Sequence, residues 1–308
     1  MDAHRLLVLR ELADRGTVAA AAQALSMTPS AVSQQLKILS REAGVGLLEL
    51  DGRRLRLTDA GRALVVRADD VLAALDRATA EMESYRGSPR GLVRAALFPS
   101  GAGLLLPRII TALQDSGVDL EARDEDLPAS AVPALLADYD VVLTHRDERA
   151  VDSSSSRVLA EPLMREPIDL ILPPDHPLAY EDSVRLEQLS DEAWISVCGG
   201  FPVDDVLLSI AAATGVQPRV VQRINDFRVI EELVAGGHGV ALLARHSVSH
   251  PGVAQVRLAG VRAARIYELA RRPSADERPA VRTVLDAFRT VVADVLAADD
   301  DVSRVPSP

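Results

Sequence analysis

Five polar side chains recur on one face of a predicted helix that begins near residue 29. Thr28 is a natural N-cap, and Pro29 follows where a helix start tolerates proline. The shared face carries Ser30, Ser33, Gln34, Lys37 and Arg41. Serine and glutamine hydrogen-bond to base edges, lysine and arginine reach phosphate or guanine, and a helix fits the major groove. This spacing predicts a face that reads DNA, although the same pattern is typical of an ordinary solvated helix.

The elements on either side would hold this face in place. Val32, Leu36 and Leu39 form an inward stripe on the same helix. A short helix precedes it, capped by Thr17 and rich in alanines that allow close packing, and a turn at residues 26–28 joins the two. The sequence therefore predicts a helix-turn-helix, with a further amphipathic helix over residues 3–15 packed behind it.

A predicted β-hairpin follows the second motif helix. Residues 44–57 alternate around an Asp51-Gly52 turn, and the tip carries Arg53 and Arg54. We interpret it as a wing that touches phosphates or the minor groove, with a solvated basic turn as the alternative. The predicted DNA-binding residues are Thr28, Pro29, Ser30, Ser33, Gln34, Lys37, Arg41, Arg53 and Arg54.

A long helix is predicted from Thr58-Asp59 to about residue 86. Its apolar positions are spaced alternately by four and three residues: Leu64, Ala68, Val71, Leu75, Ala78, Met82 and Tyr85. Such a seam needs a partner helix. A two-fold dimer would place two recognition helices about 34 Å apart, the separation of neighbouring major grooves. The alternative is that the seam packs on a second domain of the same chain.

Composition favours a globular chain of about two domains. The 308 residues are 48% apolar, and we find no membrane-spanning run or signal peptide, so a cytoplasmic location and no membrane partner are expected. The single cysteine, Cys198, excludes an internal disulfide. His246 and His250 lie four residues apart, but Pro251 and nearby serines indicate a turn rather than a zinc helix, so no metal site is predicted.

The negative charge is distributed unevenly. The net charge of the chain is −11, yet residues 1–58 hold eight basic and six acidic groups. A mildly basic head on an acidic body would dock the head on DNA while the body stays away from it.

These residues resemble the LysR-type transcriptional regulators over almost the whole chain. The matching positions in the head are Gly16, Thr17, Val18, Ala21, Ala22, Leu25, Ser30, Ala31, Val32, Ser33, Gln35, Leu36, Leu39, Gly44, Val45, Leu47, Leu48, Arg53, Arg54, Leu57, Thr58, Asp59, Ala60 and Gly61. Two positions depart from the family pattern, since Pro29 stands where the family often has Gln and Ser40 where it often has Glu. Pro29 removes one base contact, so no operator preference is carried over.

The rest of the chain alternates predicted strands and helices, typical of a mostly parallel sheet covered by helices. The resemblance continues through the sequence HPLA at residues 176–179 and ELVAGGHGVALL at residues 232–243, and it implies a two-lobed, periplasmic-binding-protein-like effector domain. The predicted fold class is thus α+β and multidomain: a winged helix-turn-helix (1–58), a linker helix (59–88), an effector domain (89–298) and a disordered tail (299–308). Lobe I would span about 89–162 and 264–298, and lobe II about 163–263.

Ligands in open α/β sheets bind outside the carboxyl ends of strands, which selects four predicted loops. They contain the candidate effector-binding residues Ser100, Gly101, Ala102, Thr144, His145, Cys198, Gly199, Gly200, Phe201, Asn225, Asp226 and Phe227. Ser100 and Thr144 could donate to a carboxylate at a helix start, His145 could add a pH-sensitive charge, and the phenylalanines could cover an apolar part. Asp226 equally admits an amino group, so the charge of the effector stays open.

The sequence therefore predicts a sequence-specific DNA-binding regulator, controlled by a small-molecule effector of unknown identity, with no other cofactor and no catalytic residues. The resemblance implies double-stranded DNA as partner and a homodimer that pairs into a homotetramer; contact with RNA polymerase stays open. One alternative is a small-molecule binding protein whose N-terminal helices serve dimerisation only. Another is a hydrolase or transferase built on Cys198, with His145 or His176 as base.

Overall fold

The N-terminal head is a three-helix unit. The computed structural model describes residues 1–51, 54–84, 91–152 and 154–298. Helices α1 (Ala3–Arg15), α2 (Val18–Ala24) and α3 (Pro29–Ala43) follow one another, and the hydroxyls of Thr17 and Thr28 cap α2 and α3 by accepting from Ala20 N and Ala31 N. Leu9, Val32 and Leu39 lie in a common core, which confirms the inward stripe predicted for α3.

The hairpin pairs β1 (Leu48–Asp51) with β2 (Arg54–Leu57). Asp51 lies opposite Arg54 and belongs to β1, so the prediction that Asp51 forms the turn was wrong. The predicted wing residue Arg53 lies outside the described residues, and for Arg54 the described part is the backbone.

Helix α4 (Asp59–Ser84) continues directly from the hairpin, with Thr58 Oγ1 accepting from Gly61 N at 3.0 Å. The predicted seam has two parts. Leu64 and Ala68 pack into the head core, whereas Val71, Leu75 and Met82 are 42%, 49% and 55% exposed. The described part of this chain therefore leaves the outer seam uncovered, against the alternative of packing on its own second domain. Tyr85 and residues 86–90, like the tail from 299, lie outside the described residues.

Lobe I begins with parallel strands and their helices. In chain order these are β3 (Gly91–Leu97), α5 (Pro99–Leu113), β4 (Val118–Asp124), α6 (Val132–Leu135), β5 (Val141–Asp147) and the first half of β6 (Leu159–Leu172). Residues 99–102 form the first turn of α5 rather than the predicted loop, because proline is well suited to the first helical position. A 3-10 turn over Ala129–Ala131 leads directly into α6.

Lobe II follows, and the chain then returns to lobe I. Lobe II comprises β7 (Ser183–Val184), β8 (Ala193–Ser196), α7 (Pro202–Thr214), β9 (Arg219–Arg223), α8 (Phe227–Ala235), β10 (Val240–Ala244) and β11 (Ala254–Leu258). The return consists of β12 (Ala264–Arg271) and α9 (Pro279–Ala298), and α9 packs into the lobe I core through Phe288.

One long strand, β6, crosses between the lobes, and the chain returns to lobe I through β12. The sheet order is β4-β3-β5-β12-β6-β10-β8-β9, and β11 pairs with β6 and β7. Strand β6 pairs with β12 up to Pro167 and with β10 from Ile168, so its pairing changes lobe within one strand. The two-lobed α/β architecture expected from the sequence is confirmed. No helix in the described ranges combines the length and the apolar character that crossing a bilayer requires.

Gly239 provides a test of how tightly lobe II is built. Its φ is +153°, and an added Cβ would lie 2.5 Å from Ala193 O on the neighbouring strand. We expect Gly239→Ala to lower the free energy of unfolding by about 3 kcal/mol, because backbone conformation and packing must both change. Gly103→Ala is the control: it lies on α5 with nothing near its Cβ, and should raise stability by about 0.5–1 kcal/mol. Urea denaturation measures both; equal effects would contradict the close approach.

Candidate functional site

The outer face of α3 is open to solvent. Ser30, Gln34, Lys37 and Arg41 are exposed, and Ser33 between them is half-buried. Val32, Leu36 and Leu39 hold the opposite face in the head core. The structure thus brings the predicted side chains on this helix together as one polar surface with two cationic groups toward its C-terminal end.

The residues at the start of α3 have a structural role as well. The Thr28 hydroxyl accepts from Ala31 N at 3.2 Å and lies 3.0 Å from the Ser30 hydroxyl, while Pro29 is exposed. Arg41 Nε donates to the carbonyl of Lys37 at 3.4 Å, and the side chain is exposed. Thr28 therefore fixes the start of the helix whose next residues face outward.

A cavity of about 780 Å³ lies between the two lobes. Six of the twelve predicted effector residues line it: Ser100, His145, Phe201, Asn225, Asp226 and Phe227. The mouth is bridged by Asn225 Nδ2 of lobe II, which donates to Asp126 Oδ2 of lobe I at 2.8 Å. A ligand in this cavity would therefore contact both lobes at once.

The other six predicted residues do not lie in the wall of this cavity. Thr144 points to the opposite side of β5 from His145, because successive side chains on a strand alternate. Gly101 and Ala102 are turned toward the lobe I core because their segment is helical rather than a loop. Cys198, Gly199 and Gly200 lie on the exposed turn before α7.

Gly101 nevertheless shapes the cavity indirectly. A Cβ at this position would come within 2.4–2.9 Å of the ring of Phe98. Because glycine leaves that space empty, the buried Phe98 ring lies under the first turn of α5. There it is 4.1 Å from the ring of His145, measured between centroids, and the Arg265 guanidinium is 5.0 Å from its centre.

A buried ion pair between β12 and β6 borders the cavity through Arg265. Arg265 on β12 donates from Nε to Glu166 on β6 at 2.7 Å, and both side chains are fully buried. The Tyr267 hydroxyl donates to the same Glu166 oxygen at 2.8 Å. Burial and the Glu166 carboxylate raise the pKa of Tyr267, although Arg265 opposes them, so its hydroxyl stays protonated at neutral pH.

This ion pair touches both lobes. Arg265 Nη2 donates to Ser100 Oγ on α5 at 3.0 Å and approaches Ser247 Oγ of lobe II at 3.5 Å. Glu166 also accepts from the backbone N–H of His246 in lobe II at 3.0 Å. The guanidinium and carboxylate therefore tie the start of α5 to the turn after β10.

His145 does not supply the pH-sensitive charge that the sequence suggested. It is buried beside Phe98, and its Nδ1 has no hydrogen-bond partner among the described residues. Burial, helped by the nearby Arg265 charge, lowers the pKa of His145 well below its usual value. The ring is therefore neutral at physiological pH.

Sequence reasoning missed several residues of the wall, which are Phe98, Leu104, Arg108, Asp124, Asp126, His246, Ser247, Ser249 and Arg265 among others. Arg265 had a usable signal. It is a charged residue at the start of a predicted strand whose other positions are largely apolar, and buried charges need partners. The partner, Glu166, is 99 residues away and could not be identified from the sequence.

The head is attached to lobe I by ion pairs. The side chain of Asp14 on α1 is 1% exposed and lies 2.8 Å from Arg157 and 2.5 Å from Arg272. Asp69 on α4 lies 2.6 Å from Arg157 and 3.4 Å from Arg272. These four residues form an alternating square of charge, which we call the interdomain square.

Two further ion pairs also join the head and α4 to lobe I. In these pairs the arginine lies on the head or α4 and the carboxylate lies in lobe I, the opposite of the interdomain square. Arg15 on α1 contacts Asp138 of lobe I at 2.6 Å, and Arg77 on α4 contacts Glu277. Asp69 and Arg77 lie on the face of α4 opposite the exposed seam. One side of α4 therefore faces its own effector domain, and the other is open.

Both halves of the chain match known protein families. Residues 3–62 match the family model described as "Bacterial regulatory helix-turn-helix protein, lysR family", and residues 86–293 match "LysR substrate binding domain". A curated relative is the transcriptional dual regulator GltC of Bacillus subtilis, which is 28% identical over 79% of this chain and 80% of that protein.

Solved structures share the fold over nearly the full length. A full-length OxyR variant from Pseudomonas aeruginosa superposes with a TM-score of 0.65 at 21% identity, covering 94% of this chain and 98% of that chain. Full-length CbnR in complex with its target DNA superposes with a TM-score of 0.55 at 19% identity, covering 94% and 100%. The order of head, long helix and two lobes is common to all three.

The interdomain square predicts a difference between two adjacent carboxylates on α4. Asp69→Asn should lower the free energy of unfolding by about 2 kcal/mol, because it weakens charged hydrogen bonds to two arginines. Asp70→Asn is the control, since Asp70 is exposed and pairs with exposed Arg67. Chemical denaturation followed by circular dichroism measures both; an equally large loss for Asp70→Asn would argue against the square.

Proposed function

The chain belongs to the LysR family of bacterial transcriptional regulators, and we propose that its α3 face reads an operator sequence while the cavity between its lobes binds the controlling effector. The observation that carries the proposal is the polar face of α3. It is open to solvent and backed by a buried apolar stripe, within a head that matches the family's DNA-binding model. Because its proposed partner is chromosomal DNA, we expect the protein to work in the bacterial cytoplasm.

We assign different tasks to the two ends of this face. Ser30, Ser33 and Gln34 lie on the first two turns of α3, where a recognition helix meets base edges. Lys37 and Arg41 carry positive charge farther along, where phosphate contacts position the helix without reading sequence. Arg53 and Arg54 extend this proposal to the hairpin tip, on the strength of their charge and place in the sequence.

We infer that α4 forms the dimer interface. Val71, Leu75 and Met82 present an apolar seam that the described part of this chain leaves exposed, at a spacing suited to a facing helix. A two-fold pair of α4 helices would present two α3 helices to the same side of DNA. A dimer of dimers and contact with RNA polymerase belong to the same proposal and rest on family membership.

Effector control requires that the ligand bind two arrangements of the protein with different affinity. The cavity supplies the site, since its walls come from both lobes and Asn225 already reaches Asp126 across its mouth. The interdomain square supplies a route to the head, because lobe I contacts α1 and α4 through it. We propose that lobe closure changes DNA binding through these contacts.

Two alternatives from other classes are less well supported. A ligand-binding protein that used its head for dimerisation alone would not need the open polar face of α3. An enzyme built on Cys198 would need an activating base, yet no hydrogen bond joins its thiol to a histidine in the described ranges. We therefore infer that the chain acts as a regulator and not as a catalyst.

Substitutions on α3 test the division between base and phosphate contacts. Gln34→Ala should reduce the preference for the operator over scrambled DNA by about 1–3 kcal/mol, because a base contact is lost. Lys37→Ala should weaken binding to both DNAs alike and reduce the slope of log affinity against log salt by about 1. Fluorescence anisotropy on upstream and scrambled fragments at several salt concentrations measures both effects.

The two variants control each other, since both residues are exposed on the same helix. If both reduced sequence preference equally, the assigned division would be wrong. If the unmodified protein showed no preference for any fragment in a genome-wide selection, the regulator proposal itself would fail.

A charge in the α4 seam tests the dimer. Leu75→Lys should shift the chain toward monomer and weaken operator binding at nanomolar protein, because an ammonium group would be buried between apolar helices. Asp76→Lys is the neighbouring control, on an exposed position off the seam. Analytical ultracentrifugation decides; an unchanged dimer in Leu75→Lys, or dissociation in both variants, would place the interface elsewhere.

A further inference from the structure

Three helix N-termini converge on the cavity between the lobes. Ser100 at the start of α5, Phe201 before α7, and Phe227 at the start of α8 all line its wall. The free N–H groups and the dipole at a helix start favour negative charge. The cavity is therefore surrounded by helix ends with partial positive charge. A helix start that has no carboxylate of its own is the place where a negatively charged ligand group would bind.

Two of the three helix ends already have a carboxylate of their own. Helix α7 carries Asp204 and Asp205 in its first turn, and Asp226 caps α8 by accepting from Arg228 N. Helix α5 has neither an acidic residue in its first turn nor a side-chain cap, and it follows Phe98, which cannot cap. The start of α5 is thus the helix end on this cavity that lacks a negative partner.

Arg265 lies at that same helix end with donor capacity to spare. Its Nε and Nη2 are bound to Glu166, Tyr267 and Ser100, but the fully buried Nη1 has no hydrogen-bond partner in the described structure. Ser100 Oγ accepts from Arg265, which leaves its own hydroxyl hydrogen available. The unpartnered buried Nδ1 of His145 borders the same cavity.

These groups have one requirement in common. The two N–H bonds of Arg265 Nη1, the Ser100 hydroxyl and the first N–H groups of α5 are all donors, so they need a group that accepts several hydrogen bonds. A carboxylate has two oxygens and about four lone-pair directions, and arginine binds it well. Because Glu166 already offsets the charge of Arg265, a singly charged anion suits the site better than a doubly charged phosphate.

The other residues that line the cavity indicate the chemical character of the rest of the ligand. Three of the four phenylalanines in the chain line this cavity, namely Phe98 from lobe I and Phe201 and Phe227 from lobe II. Flat aromatic side chains on both lobes favour an apolar or aromatic body between them. At the rim, three aspartates (Asp124, Asp126 and Asp226) outnumber two arginines (Arg108 and Arg228), so the net negative charge disfavours a second anionic group on the outer end of the ligand.

We propose that the effector is a monocarboxylate with an aromatic or apolar body, whose carboxylate binds Arg265 Nη1, Ser100 and the start of α5. The body lies between the phenylalanines of the two lobes. This inference rests on the proposed function of the cavity as the effector site, and it narrows the charge that the sequence left open. A ligand held by Ser100 in lobe I and by Phe201 and Phe227 in lobe II would favour the closed arrangement.

A matched set of small aromatic ligands tests the charge. The full chain is titrated by calorimetry with benzoate, phenylacetate and phenylpropionate, and with the corresponding amides and benzylamine. At least one carboxylate should bind, about tenfold or more tightly than its amide, because the amide offers one oxygen acceptor and no charge. Failure of every carboxylate at millimolar concentration, or tighter binding of an amide or of benzylamine, would overturn the proposal.

Variants then locate the carboxylate. Ser100→Ala should weaken the carboxylate several-fold and leave its amide less affected. Replacing the ion pair together, Arg265→Met with Glu166→Gln, avoids leaving Glu166 buried without its partner and should abolish the preference for carboxylate over amide. Arg108→Met is the matched control, since it removes a guanidinium from the rim of the same cavity and should keep that preference. A preference that survives in the double variant, or disappears in Arg108→Met, would contradict the assigned position.

The folding of each variant is checked by its thermal melt. If the double variant does not fold, Ser100→Ala alone still tests whether the carboxylate binds at the start of α5. Operator binding is measured on the same samples without ligand. If operator binding holds while the carboxylates show no preference, this inference alone fails. If specific DNA binding is absent from the unmodified chain, the proposed function fails independently of the ligand.

Discussion

The ion pair between Arg265 and Glu166 is the interaction on which the effector domain depends. Both side chains are fully buried, and they lie on β12 and β6, next to the point where β6 passes from lobe I into lobe II. Burying two charges is expensive unless each is paired and hydrogen-bonded. Tyr267, Ser100 and the His246 N–H supply those bonds. The contacts that satisfy the pair are therefore the contacts that join the start of α5 to lobe II.

The same ion pair explains why the cavity is polar at its floor and apolar at its sides. A guanidinium can satisfy several partners in one plane, and here the described partners leave Nη1 unused. Phe98 covers the guanidinium from one side, and it can do so because Gly101 leaves room for its ring. A single glycine in a helix thus determines how closely an aromatic wall approaches the buried charge.

Sequence patterns predicted the elements better than they predicted the cavity. The period of 3.6 residues and the capping residues placed α1 and α3, and the resemblance to a family supplied the two lobes. The cavity depends on smaller steps. Thr144 and His145 are neighbours in sequence, yet one faces away because strand side chains alternate. Arg265 needed knowledge of Glu166, and a contact over 99 residues is visible only once the strands are paired.

Helix α4 connects the head, lobe I and the exposed apolar seam, because different faces of the helix make different contacts. Asp69 and Arg77 bind the helix to its own lobe I, whereas Leu75 and Met82 leave an apolar seam on the other side. The head packs on the first turns of the same helix through Leu64 and Ala68. Lobe I also binds α1 directly through Asp14 and Arg15, so a movement of lobe I would act on the head through both helices at once. Because α4 carries the seam and also packs into the head core, such a movement would change the positions of the seam and of the recognition helix together.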